Sequence, residues 1–405
     1  MAEAVEASEA DSIEFVLALA KALHRYGTPS HRLEQALEVI SKRLDLEVEV
    51  FTTPTAIIMS FGGPTELRTR MLRVEGGELD MDKLELVDDL ADDVAAQKVT
   101  PAEGVDKLEA ILAAPRRYGH AISTFMHAVT SGGLAVSFGG TIIDVALASA
   151  IGLLLGLLAQ IAKRSTDQAR VFELVGAAFV SFSAAAASSV VATTPSLVIV
   201  AALIVLLPGM SLTVAMTELA TRHLIAGTAR LVSAVIVLLE LVLGVALGDR
   251  LARALVDVHQ ATPIPLPDWS QWLALIASSI GIAIVVQAQL RAFAWILAAC
   301  SVGYIGSSLG SQWLDPQMGV VVGAFAVGVL GNFFARLMER PAQVVQVPAM
   351  LLLVPGSMGF RGMASLLGHD TLSGVETVFA MFVVALAIVA GLLVANAVVS
   401  PRRSL

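Results

Sequence analysis

Cysteine is almost absent: Cys300 is the only one in 405 residues, and it lies inside an apolar run. That excludes an intramolecular disulfide and any metal site built from several thiolates. Charge is scarce too, at 15% of residues against 56% hydrophobic, with a mean hydropathy of +0.78. These proportions exclude a disordered chain and an ordinary soluble enzyme, and they define an integral membrane protein. Neither His-Glu-x-x-His nor a Gly-Lys phosphate loop occurs, so no zinc-protease helix or nucleotide cradle can be placed. Met1 to Asp11 is acidic rather than basic-then-apolar, so no cleaved signal peptide is expected there.

The charge that is present is unevenly placed. Residues 1–119 hold 13 Lys and Arg against 23 Asp and Glu, whereas residues 120–405 hold 13 against 12. The acidic balance belongs to a water-soluble N-terminal part and argues against nucleic acid as a partner. Helical spacing of Phe15, Leu19, Ala22 and Leu23 predicts a helix over 13–26 that stops at Gly27, and Leu33, Leu37, Ile40 and Leu44 predict a second over 30–44. Residues 46–51 alternate with period two as a half-buried strand does, and 55–61 and 66–74 read as two more around Gly62-Gly63-Pro64. Helices return over 81–97 and from the capping box Thr100-Pro101-Ala102-Glu103 to Leu112. Residues 1–119 thus form a small α+β domain. Thr28, Ser30, His31 and Thr53 are the groups a catalytic reading would need, but Thr28 and Ser30 read equally well as helix caps. No enzyme, cofactor or metal is expected.

From His120 on, apolar runs can be drawn at about 120–138, 142–162, 171–193, 196–220, 225–247, 271–287, 292–310, 317–336, 343–366 and 375–399. The first is diluted by Ser123, His127, Thr130 and Ser131. Two runs are interrupted, at Leu206-Leu207-Pro208-Gly209-Met210 and at Val354-Pro355-Gly356-Ser357. Proline removes a backbone donor and clashes with the preceding turn, so in hydrocarbon such a break is tolerable only inside a bundle or beside a wet cavity. Pro208 and Pro355 differ by 147 positions, and the same offset pairs Gly176 with Gly323, Gly209 with Gly356, Gly227 with Gly374 and Gly244 with Gly391. The registry predicts an internal duplication.

Positive charge predicts the orientation. With the N-terminal domain cytoplasmic, the inner loops collect Lys163, Arg164, Arg170, Arg222, Arg230, Arg291, Arg336, Arg340, Arg402 and Arg403, and the outside keeps Arg250, Arg253 and Arg361. Both termini are then cytoplasmic. Five spans per half is an odd number, so the halves run antiparallel. The expected fold is a membrane all-α protein of about ten transmembrane helices, arranged as two inverted five-helix repeats with broken helices. Residues 120–247 form the first repeat, 248–270 an external linker and 271–400 the second.

Paired broken helices in corresponding halves point to a transporter's binding site. The candidate substrate-binding residues are Pro208, Gly209, Ser211, Thr213 and Glu218 at the first break and Pro355, Gly356, Ser357 and Arg361 at the second. Glu218 and Arg222 are spaced as a helix-end ion pair. Arg361 has no acidic neighbour within four residues, which suits it to hold an anion. Glu240 follows a run of Val, Ile and Leu and is the candidate proton carrier, against the reading that it simply reaches water.

The chain resembles the threonine/serine exporter family. The matching residues are Tyr26-Gly27-Thr28 through Arg32 and Glu34, Thr53-Pro54-Thr55, Tyr118-Gly119, Gly132-Gly133, the first Pro-Gly break, and Pro355-Gly356 with Arg361-Gly362. The resemblance covers nearly the whole length and implies a ten-span exporter of threonine and serine with a cytoplasmic N-terminal domain. A two-subunit relative, similar to this chain cut between its halves, exports succinate. The expected function is secondary export of threonine and serine across the cytoplasmic membrane, driven by the proton gradient. Short dicarboxylates such as succinate are the alternative substrates, and a membrane-tethered enzyme or sensor is the rival from another class. Expected partners are the small substrate, protons and the lipid bilayer, with a homo-oligomer left open.

Overall fold

The computed structural model describes residues 2–400 apart from 64–66, 260, 263, 316, 354–355 and 368–369. The N-terminal region opens with α1 (Ala2–Arg25) and α2 (Ser30–Arg43). α1 starts well before the apolar pattern does, because the Ala- and Glu-rich leader favours helix without needing an apolar face. The strands β1 (Val48–Thr53), β2 (Ala56–Phe61) and β3 (Arg68–Arg73) form an antiparallel sheet in that order, with Val48 opposite Phe61 and Ala56 opposite Arg73. The alternation in β2 puts Ile57, Met59 and Phe61 in the core with Phe15, Leu19, Leu33 and Leu37. Asp80 caps α3 (Met81–Ala95), and the Thr100–Glu103 capping box opens α4 (Pro101–Ala113).

Helices follow almost without interruption: α5 (His120–Ser137), α6 (Ile142–Ala162), α7 (Thr166–Arg170), α8 (Phe172–Ala187), α9 (Pro195–Leu203), α10 (Gly209–Ala220) and α11 (Leu224–Leu255). After the proline-rich segment come α12 (Trp269–Val285), α13 (Phe293–Trp313), α14 (Val320–Met338), α15 (Gln343–Leu353), α16 (Gly356–Leu367) and α17 (Thr371–Val398). Among the described residues six helices are long and apolar enough to cross a membrane, and α8 and α12 are shorter apolar helices. On α11, Leu239, Leu243, Leu247 and Leu251 form an exposed stripe at every fourth position, while Leu238, Leu241, Gly244 and Gly248 are buried. Such a stripe is at home against lipid rather than water.

The 147-residue registry is also a registry of contacts. α8 and α11 meet where a Cβ on Gly244 would stand 2.3 Å from the Leu174 carbonyl oxygen and 2.8 Å from the Ala177 Cβ. α14 and α17 meet where a Cβ on Gly391 would stand 2.5 Å from the Val321 carbonyl oxygen and 2.9 Å from the Ala324 Cβ. Every residue of the second contact lies 147 positions after its counterpart in the first. Glycine at these positions lets the helix backbones touch. The corresponding helices α5 and α12 pack on each other antiparallel: Gln287 reaches Ser123, Thr130 faces Gly281, Gly133 faces Ser278, and Gln271 reaches Val136.

The N-terminal region is seated on one end of this bundle. Met81 N–H donates to the Val286 carbonyl at 2.9 Å, and Tyr118 N–H and OH bond Gln287 and Ala288. Acids on the region meet bases on the bundle: Arg291 donates to Glu85 at 2.5 Å, Arg340 pairs with Asp89, and His223 lies 3.0 Å from Glu34. One apolar cluster continues from Phe15 and Met81 into α12, α13, α14 and α15.

Candidate functional site

Pro208 has no N–H to donate, and α9 ends before it at Leu203. Leu206 and Leu207 fold back on the Leu203 carbonyl at 2.8 and 3.2 Å, and Gly209 N–H closes on the Leu207 carbonyl at 2.8 Å. α10 then starts at Gly209 without a side-chain cap. Its counterpart α16 starts at Gly356. Gly209 and Gly356 are in contact: a Cβ on Gly356 would stand 3.2 Å from both the Gly209 Cα and the Leu207 Cβ. The N-terminus of α10, where backbone N–H groups and the helix dipole favour an anion, therefore meets Gly356 of the second run.

A cavity of about 320 Å³ adjoins the segment before the first break. Ile204, Val205 and Leu207 of that segment line it together with Leu351 of α15. Ser123, His127 and Thr130 of α5 and Gln160 of α6 line its length, and Glu78, Arg116 and Lys163 stand where the N-terminal region meets the bundle. Glu78 pairs with both cations. A second cavity, of about 100 Å³, lies beside α10 between Thr213, Thr217, Gln343, Gln346 and Asn396 on the bundle and Pro29, His31 and Arg32 on the N-terminal region. Burial pushes the His31 imidazole down to about 4, helped by Arg32 and His223, so that ring is neutral at ordinary pH.

Of the residues marked out in the sequence, Gly209 and Gly356 are brought together. Pro208 is half-buried as the residue before α10, and Pro355 lies outside the described residues. Ser211 and Ser357 are half-buried on the first turns of α10 and α16. Thr213 is buried, with its hydroxyl 3.2 Å from the Gly209 carbonyl oxygen. Glu218 is fully buried at the far end of α10, and its cationic partner is not Arg222 as helical spacing suggests. Arg222 follows the end of α10 with a positive φ of 67°, whereas Arg230 on α11 donates Nε and Nη2 to Glu218 at 3.1 and 3.2 Å. Ser30 N–H donates to the same carboxylate at 3.1 Å. Arg361 is exposed, its guanidinium 5.2 Å from the centroid of the Phe138 ring. Leu238 of α11 packs against Gly359 of α16, and two residues further on Glu240 is turned away from that contact, beside Glu173 of α8.

Two of the hydroxyls considered for catalysis have local structural roles. Thr53 bonds the Ala56 carbonyl within its own hairpin, and Ser30 opens α2. Gly306-Ser307-Ser308-Leu309-Gly310 has the lettering of a hydrolase elbow but lies within the unbroken helix α13, not in a strand–turn–helix. Sequence reasoning passed over Glu78, Arg116 and the cavity-facing role of His127 and Lys163. The available signal was the polar dilution of α5: Ser123, His127 and Thr130 weaken that run as a lipid-facing span because they face the cavity.

Six long apolar helices and two shorter ones among the described residues define a multi-pass helical membrane protein. Residues 14–252 match a family model of threonine/serine exporters, and residues 271–398 match a second, described as Threonine/Serine exporter, ThrE. The chain belongs to the threonine/serine exporter family, a family of transporters rather than enzymes. It is 27% identical over 366 residues to an uncharacterized protein of Schizosaccharomyces pombe, covering 86% of this chain and 48% of that one. It is 27% identical over 376 residues to pheromone-regulated membrane protein 10 of Saccharomyces cerevisiae (90% and 48%), and 26% over 386 residues to that of Candida glabrata (90% and 49%). The chain thus spans about half the length of these curated relatives, and 37% of the Pichia sorbitophila one. No solved structure matches it.

Proposed function

We propose that the chain is a secondary exporter carrying threonine and serine out across the cytoplasmic membrane, driven by the proton gradient. The observation that carries this reading is the contact of Gly209 with Gly356, beside Leu207, which lines the large cavity. A substrate carboxylate there would meet the first N–H groups of α10, the way broken helices hold anions in other transporters. In this reading the bundle has ten spans, with the α9–α10 and α15–α16 runs each counting as one, and the second five inverted relative to the first. Antiparallel packing of the corresponding helices α5 and α12 supports the inversion. The N-terminal region is cytoplasmic in this reading, which is supported by its ion pairs to Lys163, Arg291 and Arg340, three of the cations assigned to the inner loops.

Short dicarboxylates are the second reading, favoured by two cations, Arg116 and Lys163, at one cavity. The test is efflux of labelled threonine, serine and succinate from vesicles containing the purified chain, with and without a pH gradient. Threonine and serine efflux that collapses with an uncoupler is the expected result; succinate efflux alone selects the second reading. Efflux of all three at the rate of protein-free vesicles would overturn both.

A further inference from the structure

The wide end of the large cavity holds an arrangement that the exporter reading leaves unused. Glu78 sets one carboxylate between two cations, Arg116 ahead of α5 and Lys163 at the end of α6. The carboxylate and Arg116 come from the N-terminal region, and Lys163 comes from the edge of the bundle. Its loop is held on both sides: Gly77 N–H donates to the Arg25 carbonyl at 3.1 Å, Leu79 packs on Gly27, and Asp80 caps α3. Tyr26-Gly27, part of the family resemblance, therefore adjoins the loop that delivers Glu78. The Glu78 side chain is 46% exposed and that of Lys163 45%, so the pair stands at a wetted rim where ion pairs exchange readily.

Thr130 belongs to the same wall but is almost fully buried, its hydroxyl turned to Gly281 of α12. Ser123 and Gln160 add further donors and acceptors to the wall. The rim thus offers charge for a carboxylate, and the wall offers hydrogen bonds for the rest of a small polar molecule.

We infer that Arg116 and Lys163 form a carboxylate-binding site for the transported molecule, and that Glu78 occupies it as a tethered stand-in until a substrate carboxylate displaces it. The inference rests on the reading of the chain as an exporter of a carboxylate-bearing metabolite. The ligand class is a small molecule with at least one free carboxylate and further hydrogen-bonding groups for the wall that Ser123 and Gln160 contribute to. A tethered competitor acts at a fixed local concentration, so the site fills only when free substrate outcompetes it. Displacing Glu78 also frees one contact between the N-terminal region and the bundle, which ties arrival of substrate to loosening of that end.

The test is equilibrium binding to the purified full chain, with labelled threonine and labelled succinate as probes and threonine amide as the probe lacking a carboxylate. Glu78→Gln should bind the carboxylate probes about tenfold more tightly than the parent, because the intramolecular competitor is gone. Glu78→Asp, which keeps a carboxylate, should stay near the parent, and threonine amide should not respond to any of these changes. Lys163→Gln alone, a change at an exposed helix end, should weaken carboxylate binding; combined with Glu78→Gln it should cancel the gain. Carboxylate binding that is unchanged or weaker in Glu78→Gln, or unchanged in Lys163→Gln, overturns the site. The exporter reading fails separately: if parent vesicles export none of the probes while Glu78→Gln still gains carboxylate affinity, the site stands and that reading falls.

Discussion

The Ser30 backbone N–H donates to the Glu218 carboxylate at 3.1 Å, joining two residues 188 positions apart. Ser30 opens α2 of the N-terminal region, and Glu218 lies near the end of the half-helix whose first residue is Gly209. A helix of twelve residues is about 18 Å long, so one short rigid element connects the N-terminal region to the break. Arg230 closes the arrangement from α11.

Glu218→Ala should therefore act at a distance. It leaves the Arg230 guanidinium and the Ser30 N–H without their shared acceptor, a loss of about 3–5 kcal/mol for a broken buried ion pair. The expected result is a lower melting temperature and faster proteolysis of residues 2–119. Parent-like values of both would show that Arg230 and Ser30 find other partners.

Healing the first break tests the binding site directly. Pro208-Gly209→Ala-Ala restores a donor and the best helix former, so the chain should insert as well as before. Efflux should fall at least about tenfold, the size of a 1.4 kcal/mol loss, because the first-turn N–H groups of α10 become engaged in a continuous helix. Gly356→Ala should do the same by forcing a methyl group to within 3.2 Å of the Gly209 Cα. Efflux at the parent rate, normalised to protein in the membrane, would make the breaks packing features.

Topology can be read with one thiol at a time. Cys300 is the only cysteine and is buried, so a Cys300→Ser background is free of native thiols. Cysteines placed at Ala2 or Leu405 should react only after the membrane is opened, and one at Asp257 should react from outside. Labelling of Ala2 and Asp257 positions from the same side would refute the inverted five-plus-five arrangement.

Glu240 stands beside Glu173 rather than at the breaks, which separates a role in proton transfer from one in substrate binding. Glu240→Gln should abolish gradient-driven efflux while substrate exchange, which needs no net proton release, continues. Equal loss of both, at normal protein levels, would make the residue structural.

Acid should loosen the N-terminal region through His31. Its folded value is about 4 against an ordinary 6.5, so between these two the unfolded chain binds more protons than the folded one. Stability then rises with pH through that window and falls as pH drops from 6.5 towards 4. Arg32 and His223 face the same ring, and Glu34 lies beyond His223. His31→Phe should flatten the melting-temperature profile between pH 6.5 and 4, and a profile unchanged by the substitution would assign acid sensitivity elsewhere.

Much of the architecture was legible because membrane sequence is written in coarse signals. Apolar runs marked the helices, and Gly244 with Gly391 marked a contact that recurs in both halves. β1 was readable from the alternation over 46–51, two residues early at each end. What could not be read was pairing across long separations. Glu218 has Arg222 four residues away in sequence, yet the chain turns at Arg222 and brings Arg230 back from the next helix. Glu78 belongs to an acidic stretch like several others in the N-terminal region, and nothing local says that its loop reaches into a cavity between α5 and α6.

The glycine contacts of α8 with α11 and of α14 with α17 have a mechanical consequence. Backbones that touch through Gly244 and Gly391 leave no room for side chains to slide, so each pair behaves as a stiff strut. The shorter helices α10 and α16 are held to the same struts: a Cβ on Gly227 of α11 would stand 3.0 Å from the Ala215 carbonyl oxygen of α10, and one on Gly362 of α16 would stand 2.9 Å from the Val378 nitrogen of α17. Each strut and the short helix beside it therefore form one stiff unit, and the two units touch where Gly209 meets Gly356.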